Sequence, residues 1–193
     1  MNSQHAENSE SRLIVAQTGM MIFLMTEAMM FITLMAAYVV LRFGSLSWPS
    51  PGTPHLPVLI TSINTVILIT SSFFIHRASQ KIKNGDQKGL TAGLAWTVLL
   101  GTVFLVIQGY EWLHLIGKGL TLKNGAFASC FFTITGFHGL HVLIGMLVLA
   151  IILILSMKRK FNQNSRSPVV IGGMYWHFVD IVWIVIFTSL YLL

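Results

Sequence analysis

Charge is what this sequence has least of. Only 9% of its 193 residues are Asp, Glu, Lys or Arg, against about a quarter in ordinary soluble domains, so a water-facing surface of the usual kind is excluded. Cysteine is almost missing. Cys130 stands alone, which rules out an internal disulfide, a Cys-x-x-Cys redox or metal pair, and a copper centre built on two cysteines. Proline is sparse and clustered, with Pro49, Pro51, Pro54 and Pro57 in one short stretch and Pro168 apart. Helix is interrupted there and permitted nearly everywhere else. What remains is 54% hydrophobic, with a mean hydropathy of +0.75. A soluble single-core domain, a disordered chain and a disulfide scaffold are all excluded.

Five apolar runs divide the chain, each long enough to cross a hydrocarbon layer about 30 Å thick. The spans are expected at 18–41, 56–76, 90–113, 126–156 and 169–193, after a polar, frayed N-terminal segment at 1–17. The first run carries Glu27 and lacks a small-residue cleavage site, so it reads as retained in the protein rather than as a signal peptide. Between the first two spans, Trp48, Pro49, Pro51, Gly52, Pro54 and Pro57 mark a loop. A basic loop at 77–89 contains the turn Asn84-Gly85-Asp86. The fourth span has 31 residues, roughly 46 Å of helix, and must tilt or project. The fold class is therefore all-α: a polytopic membrane protein with five transmembrane helices in a bundle.

Net charge is +6 and the pI near 9.8, yet no nucleic-acid partner is expected. Every Lys and Arg lies outside the apolar runs, where it orients the protein and meets anionic headgroups. Nine of them fall on the side of the N-terminus and the loops after spans two and four, and three (Arg42, Lys118 and Lys123) on the other. That asymmetry predicts a cytoplasmic N-terminus and a periplasmic C-terminus.

Three of the six acidic residues, Glu27, Glu111 and Asp180, fall inside spans. Each costs about 2.5–3.5 kcal/mol on insertion scales, so it needs a partner, water or a proton. Asp180 has His177 three residues before it on one helical face. Glu111 shares a stripe with Gln108 and His114. His138 and His141 share a face of span four, where Gly136 and Gly139 leave room for another helix. For these groups interhelical hydrogen bonding is the plainer role, and proton or lipid contact the alternative. Glu27 differs, because its neighbours Phe23, Leu24, Met30 and Phe31 are all apolar. It must meet another helix, a wet crevice or a lipid headgroup, or stay neutral. His76 and Arg77 sit where span two reaches the membrane surface, suited to anchoring or to a lipid phosphate. The tryptophans read as interfacial or packing residues and the ten methionines as core filler. A bis-histidine haem using His138 or His141 with His177 is geometrically conceivable.

Two segments go further. Thr135-Gly136-Phe137-His138-Gly139-Leu140-His141-Val142 and Tyr175-Trp176-His177-Phe178-Val179-Asp180-Ile181-Val182-Trp183 closely resemble subunit III of the haem–copper terminal oxidases. The stretch from Phe23 to Phe31, Asn64-Thr65, and Gln108-Gly109-Tyr110-Glu111-Trp112 follow the same family's pattern in order and spacing. The likeness extends from about Gln17 to Leu193. It is to the short, five-helix bacterial form, since many members carry two further helices ahead of the acid-bearing one.

The resemblance implies an accessory subunit with no catalytic centre, cofactor or metal of its own, in a complex that reduces oxygen to water. Haems and copper are expected in partner subunits. Subunit I is expected to pack directly against this chain, with subunit II, a small subunit IV and a larger respiratory supercomplex as further partners. Bound phospholipid, support of proton uptake and a bacterial inner membrane location are implied as well. Glu27 and Phe137 resemble the aa3-type cytochrome c oxidases more than the quinol oxidases. The alternatives are a quinol oxidase subunit III, the related accessory subunit of nitric oxide reductase, a small membrane cytochrome, or an ion transporter.

Overall fold

The computed structural model describes residues 2–49, 53–123, 125–161 and 165–192. Pro51 and Gly52 of the expected proline loop lie outside these. Five helices follow one another: α1 (Asn2–Gly44), α2 (Val58–Lys83), α3 (Gln87–Gly117), α4 (Ala126–Met157) and α5 (Ser167–Phe187). A π-helical turn at Thr188–Leu192 ends α5. Each of the five is long and apolar enough to cross a membrane, and the described residues contain no strand.

Several boundaries differ from expectation. α1 reaches back to Asn2, so the polar segment before Thr18 is helical and continuous with the first span. α2 starts after Pro57, whose carbonyl accepts from Thr61 N–H at 3.2 Å. It runs past Arg77 to Lys83 instead of stopping at His76. Burial explains the extension, because Ala78 and Ile82 are fully packed. At Gly93 of α3 an added Cβ would sit 2.8 Å from the Ala78 Cβ and 3.1 Å from the Phe74 carbonyl, so α2 and α3 approach as closely as small residues allow. The loop expected at 77–89 shrinks to Asn84–Asp86. Gly85 takes φ 74° there, a conformation open to glycine at little cost. Asp86 then caps α3, its carboxylate accepting from the Gly89 N–H at 2.8 Å.

α5 is the centre of the bundle. Half of its most apolar stretch is buried, against 6% for α1, which makes α1 the peripheral helix. Trp176 and Trp183 of α5 are fully buried. Trp176 lies against Gly101 of α3 and Gly145 of α4, where a Cβ would stand 2.8 Å and 3.1 Å from its ring. Its indole N–H donates to Ser71 Oγ at 2.9 Å, and that of Trp183 donates to Thr65 Oγ1 at 2.9 Å. Two α5 indoles thus engage two α2 hydroxyls, which water cannot do at that depth.

The methionine expectation is corrected by α1, whose Met21, Met25 and Met29 are exposed on its outer face. A peripheral helix in lipid has no need to turn its apolar side chains inward. The expected open approach at Gly136 and Gly139 also divides. A Cβ added at Gly136 would stand 3.2 Å from the Trp112 ring of α3, whereas one added at Gly139 would meet nothing within 4 Å.

Candidate functional site

The acids of the spans lie in three separate places. Glu27 of α1 meets His141 of α4, with Oε2 and Nε2 2.8 Å apart. The other ring nitrogen, Nδ1, is 2.7 Å from the Phe137 carbonyl. A carbonyl only accepts, so Nδ1 carries a hydrogen and Nε2 is the nitrogen that gains or loses one. One further proton therefore lies between Glu27 and His141, held either as carboxylate with imidazolium or as carboxylic acid with neutral imidazole. Both arrangements are neutral overall, which is how the pair survives in a low dielectric. Tyr175 of α5 secures the helix turn beneath, its hydroxyl donating to the His141 carbonyl at 3.2 Å. Phe31 stands edge-on to the His141 ring at 5.2 Å. The pair faces a largely apolar groove of about 670 Å³ between α1, α4 and α5, and the Glu27 side chain is 21% exposed to it.

Glu111 of α3 is buried near the other end of the bundle. It accepts from Thr61 of α2 at 2.9 Å and from the Tyr191 hydroxyl of the terminal π-turn at 2.6 Å. His114, expected on the same stripe, turns outward and stacks on Tyr110 with ring centres 6.2 Å apart. Glu111 thus ties α3 to α2 and to the end of α5, and both partners are residues the sequence did not single out.

Asp180 corrects the expected intrahelical pair. His177 turns to α2, where Nδ1 lies 2.6 Å from Ser72 Oγ. Both carboxyl oxygens of Asp180 are buried without a hydrogen-bond partner among the described residues. Three residues along a helix put two side chains on one face, but packing of α5 on α2 offered His177 a nearer hydroxyl.

His138 is fully buried, with its ring stacked on Trp183 at 5.0 Å and edge-on to Phe104 at 6.4 Å. It does not join the Glu27 pair. His76 is exposed, its Nε2 2.8 Å from the Gln80 amide, and Arg77 lies over the Phe73 ring at 4.5 Å. Among the described residues no three His, Cys, Asp or Glu side chains come together as a metal site would require.

Thr61, Ser72, Tyr175 and Tyr191 are the site residues that sequence reasoning missed. For α2 a signal was present: Thr61, Asn64, Thr65, Ser71 and Ser72 recur at helical spacing within one apolar run, a polar stripe that lipid would not accommodate.

Fold and site together define a polytopic membrane protein whose ionisable groups are stationed between helices. Comparison with known proteins makes this particular. The family described as cytochrome c oxidase subunit III matches residues 3–193, and the chain belongs to that family. The cytochrome c oxidase subunit 3 of Synechocystis sp. is 42% identical over 176 residues, covering 91% of this chain and 74% of the relative. That of Thermostichus vulcanus is 43% identical, covering 91% and 86%. That of Corynebacterium diphtheriae is 37% identical, covering 92% and 87%. Membership makes the chain a subunit III of a haem–copper oxidase and a multi-pass membrane protein that associates with other oxidase subunits.

Proposed function

We propose that this chain is the non-catalytic subunit III of an aa3-type cytochrome c oxidase in a bacterial inner membrane, with its N-terminus in the cytoplasm. In this role it packs beside subunit I, holds phospholipid and supports proton uptake, while haems and copper reside in subunits I and II. The family match over residues 3–193 carries this reading. The groove beside Glu27 and His141 supports the lipid and proton parts. An acyl chain suits its apolar walls, and the pair it borders holds one transferable proton.

Isolation through a tag on this chain in mild detergent, with subunit identification and an optical spectrum, tests the proposal. Copurification of a haem-bearing subunit and a two-cysteine copper subunit is expected. A tagged chain that emerges alone, or with a quinol-oxidising partner, refutes the first or the second half. A small bis-histidine cytochrome is less well supported, because His141 has both ring nitrogens engaged and His177 turns to Ser72.

A further inference from the structure

We propose that a second groove, between α3 and α4 beside their connecting loop, binds one anionic phospholipid, with an acyl chain along the groove and the phosphate at Lys123. The proposal deepens the lipid-holding part of the reading above, at a place separate from the Glu27 groove and in the leaflet opposite the basic loops.

The groove has a volume of about 830 Å³, inside the range of about 300–1,000 Å³ usual for small-molecule sites. Its walls are apolar. Ile116 of α3, Leu122 of the connecting loop, and Phe137 and Leu140 of α4 line it and are exposed. Trp112 of α3 lies against Gly136, where an added Cβ would stand 3.2 Å from the ring, and meets Phe132 edge-on at 5.5 Å. With no side chain at Gly136, the indole fits against α4 and the space beside it stays open.

The length of the groove argues for a lipid over a partner helix. Gly125 caps the start of α4, and Leu140 lines the inner end of the groove. The 15 residues between those positions rise about 22 Å. One leaflet with its headgroups is about 20–22 Å deep, whereas a spanning helix needs an apolar path through both. The groove matches one lipid.

Charge selects the headgroup. Lys123 is the one charged residue lining the groove, and it sits at the mouth, on the loop ahead of α4. Lys118 lies on the same loop, and the stretch from Gly117 to Gly125 contains no Asp or Glu. The segment joining α1 and α2 at this end contains none either. Among the described residues neither lysine enters a salt bridge. This end of the bundle carries only three of the twelve Lys and Arg residues, and lysines here oppose the bias that orients the protein. A phosphate at the groove mouth gives them a use. A zwitterionic lipid has the same acyl chains but brings its own cation beside Lys123, so a net negative headgroup is preferred.

Photolabelling of the intact complex, purified through a tag on this chain, tests the site. The complex is placed in phosphatidylcholine nanodiscs with a small fraction of phosphatidylglycerol that carries a diazirine midway along one acyl chain. Mass spectrometry should find label within residues 132–140, and the matching phosphatidylcholine probe should label that segment several-fold less. Lys123→Gln should cut labelling by the phosphatidylglycerol probe about fivefold, the worth of one basic residue at an anionic surface, and leave the phosphatidylcholine probe unchanged. Thr133→Trp, at an exposed position lining the groove, should block labelling by both. Equal labelling by the two probes, or parental labelling in Lys123→Gln, marks bulk lipid only and overturns the proposal. So does an unlabelled 132–140 segment, the result expected if a neighbouring subunit covers the groove. Label within residues 20–27, beside Glu27, is scored separately. Label confined there refutes only the second site, whereas label confined to residues 132–140 refutes only the lipid role of the Glu27 groove. Subunit content of the same preparations tests the accessory role independently of both.

Discussion

Glu27 and His141 lie 114 positions apart in the chain and 2.8 Å apart in the fold. Because Nδ1 of the imidazole is held on the Phe137 carbonyl, the whole protonation chemistry of the pair is confined to one hydrogen between Oε2 and Nε2. The carboxyl therefore has a neutral form available inside the membrane, where the apolar runs carry no lysine or arginine.

A hydrophobic carbodiimide reacts with a carboxylic acid reached from the lipid, so it should modify Glu27 from the apolar groove at neutral pH. Glu27→Gln should abolish labelling. His141→Phe removes the partner that stabilises the carboxylate, and labelling should rise. Mass spectrometry of the labelled peptide decides the matter: a label that persists in Glu27→Gln, or falls in His141→Phe, contradicts the shared-proton arrangement.

Tyr191→Phe removes the shorter of the two hydrogen bonds to Glu111. Interhelical hydrogen bonds in membranes are worth about 1 kcal/mol, and the loss should appear as a lower thermal midpoint of subunit III release from the detergent-solubilised complex. Tyr110→Phe, at an exposed ring, should leave that midpoint unchanged.

Gly101→Ala places a methyl 2.8 Å from the Trp176 ring. Neither backbone nor indole has room to yield, so overpacking of about 1–3 kcal/mol is expected. Gly139→Ala meets nothing within 4 Å and should be tolerated. Comparison of the two in purified complexes, by retention of this chain on heating, separates packing at the bundle centre from general sensitivity of glycine positions in spans.

Outside the membrane, the Gly89 N–H and then Lys81, 3.2 Å away, hold the Asp86 carboxyl below its ordinary range. A depressed folded value means that the unfolded chain binds the proton more readily. The stabilisation is therefore complete above the unfolded pKa of about 3.9 and lost as pH falls through the folded one. Asp86→Ala should lower the thermal midpoint at neutral pH and match the parent once pH has dropped below both values. A deficit that persists in strong acid would point to an origin other than the ionised cap.

The helices were legible in the chain because a bilayer permits so few alternatives. An apolar run of span length must satisfy its own backbone, and only a helix does so within one segment. The ends were less legible. Lys81 and Lys83 read as loop, yet α2 carries them because Ala78 and Ile82 pack against α3. The three acids were visible by composition alone. Their partners were not, since helical spacing points to neighbours on the same helix. It suggested His177 for Asp180, where the fold turns His177 to Ser72, and it offered Glu27 nothing at all.

Chain order and composition were sufficient for five membrane helices, for membership of the oxidase subunit III family and for the presence of costly ionisable groups among them. Which group meets which was settled by packing. α5 became the centre because its tryptophans reach hydroxyls on α2 and fit beside glycines on α3 and α4. With α5 in that place, α1 and α4 bring Glu27 onto His141, Tyr191 reaches Glu111, and Asp180 is left buried with no hydrogen bond among the described residues. Contacts between helices depend on rotation and depth, which no single helix's periodicity encodes.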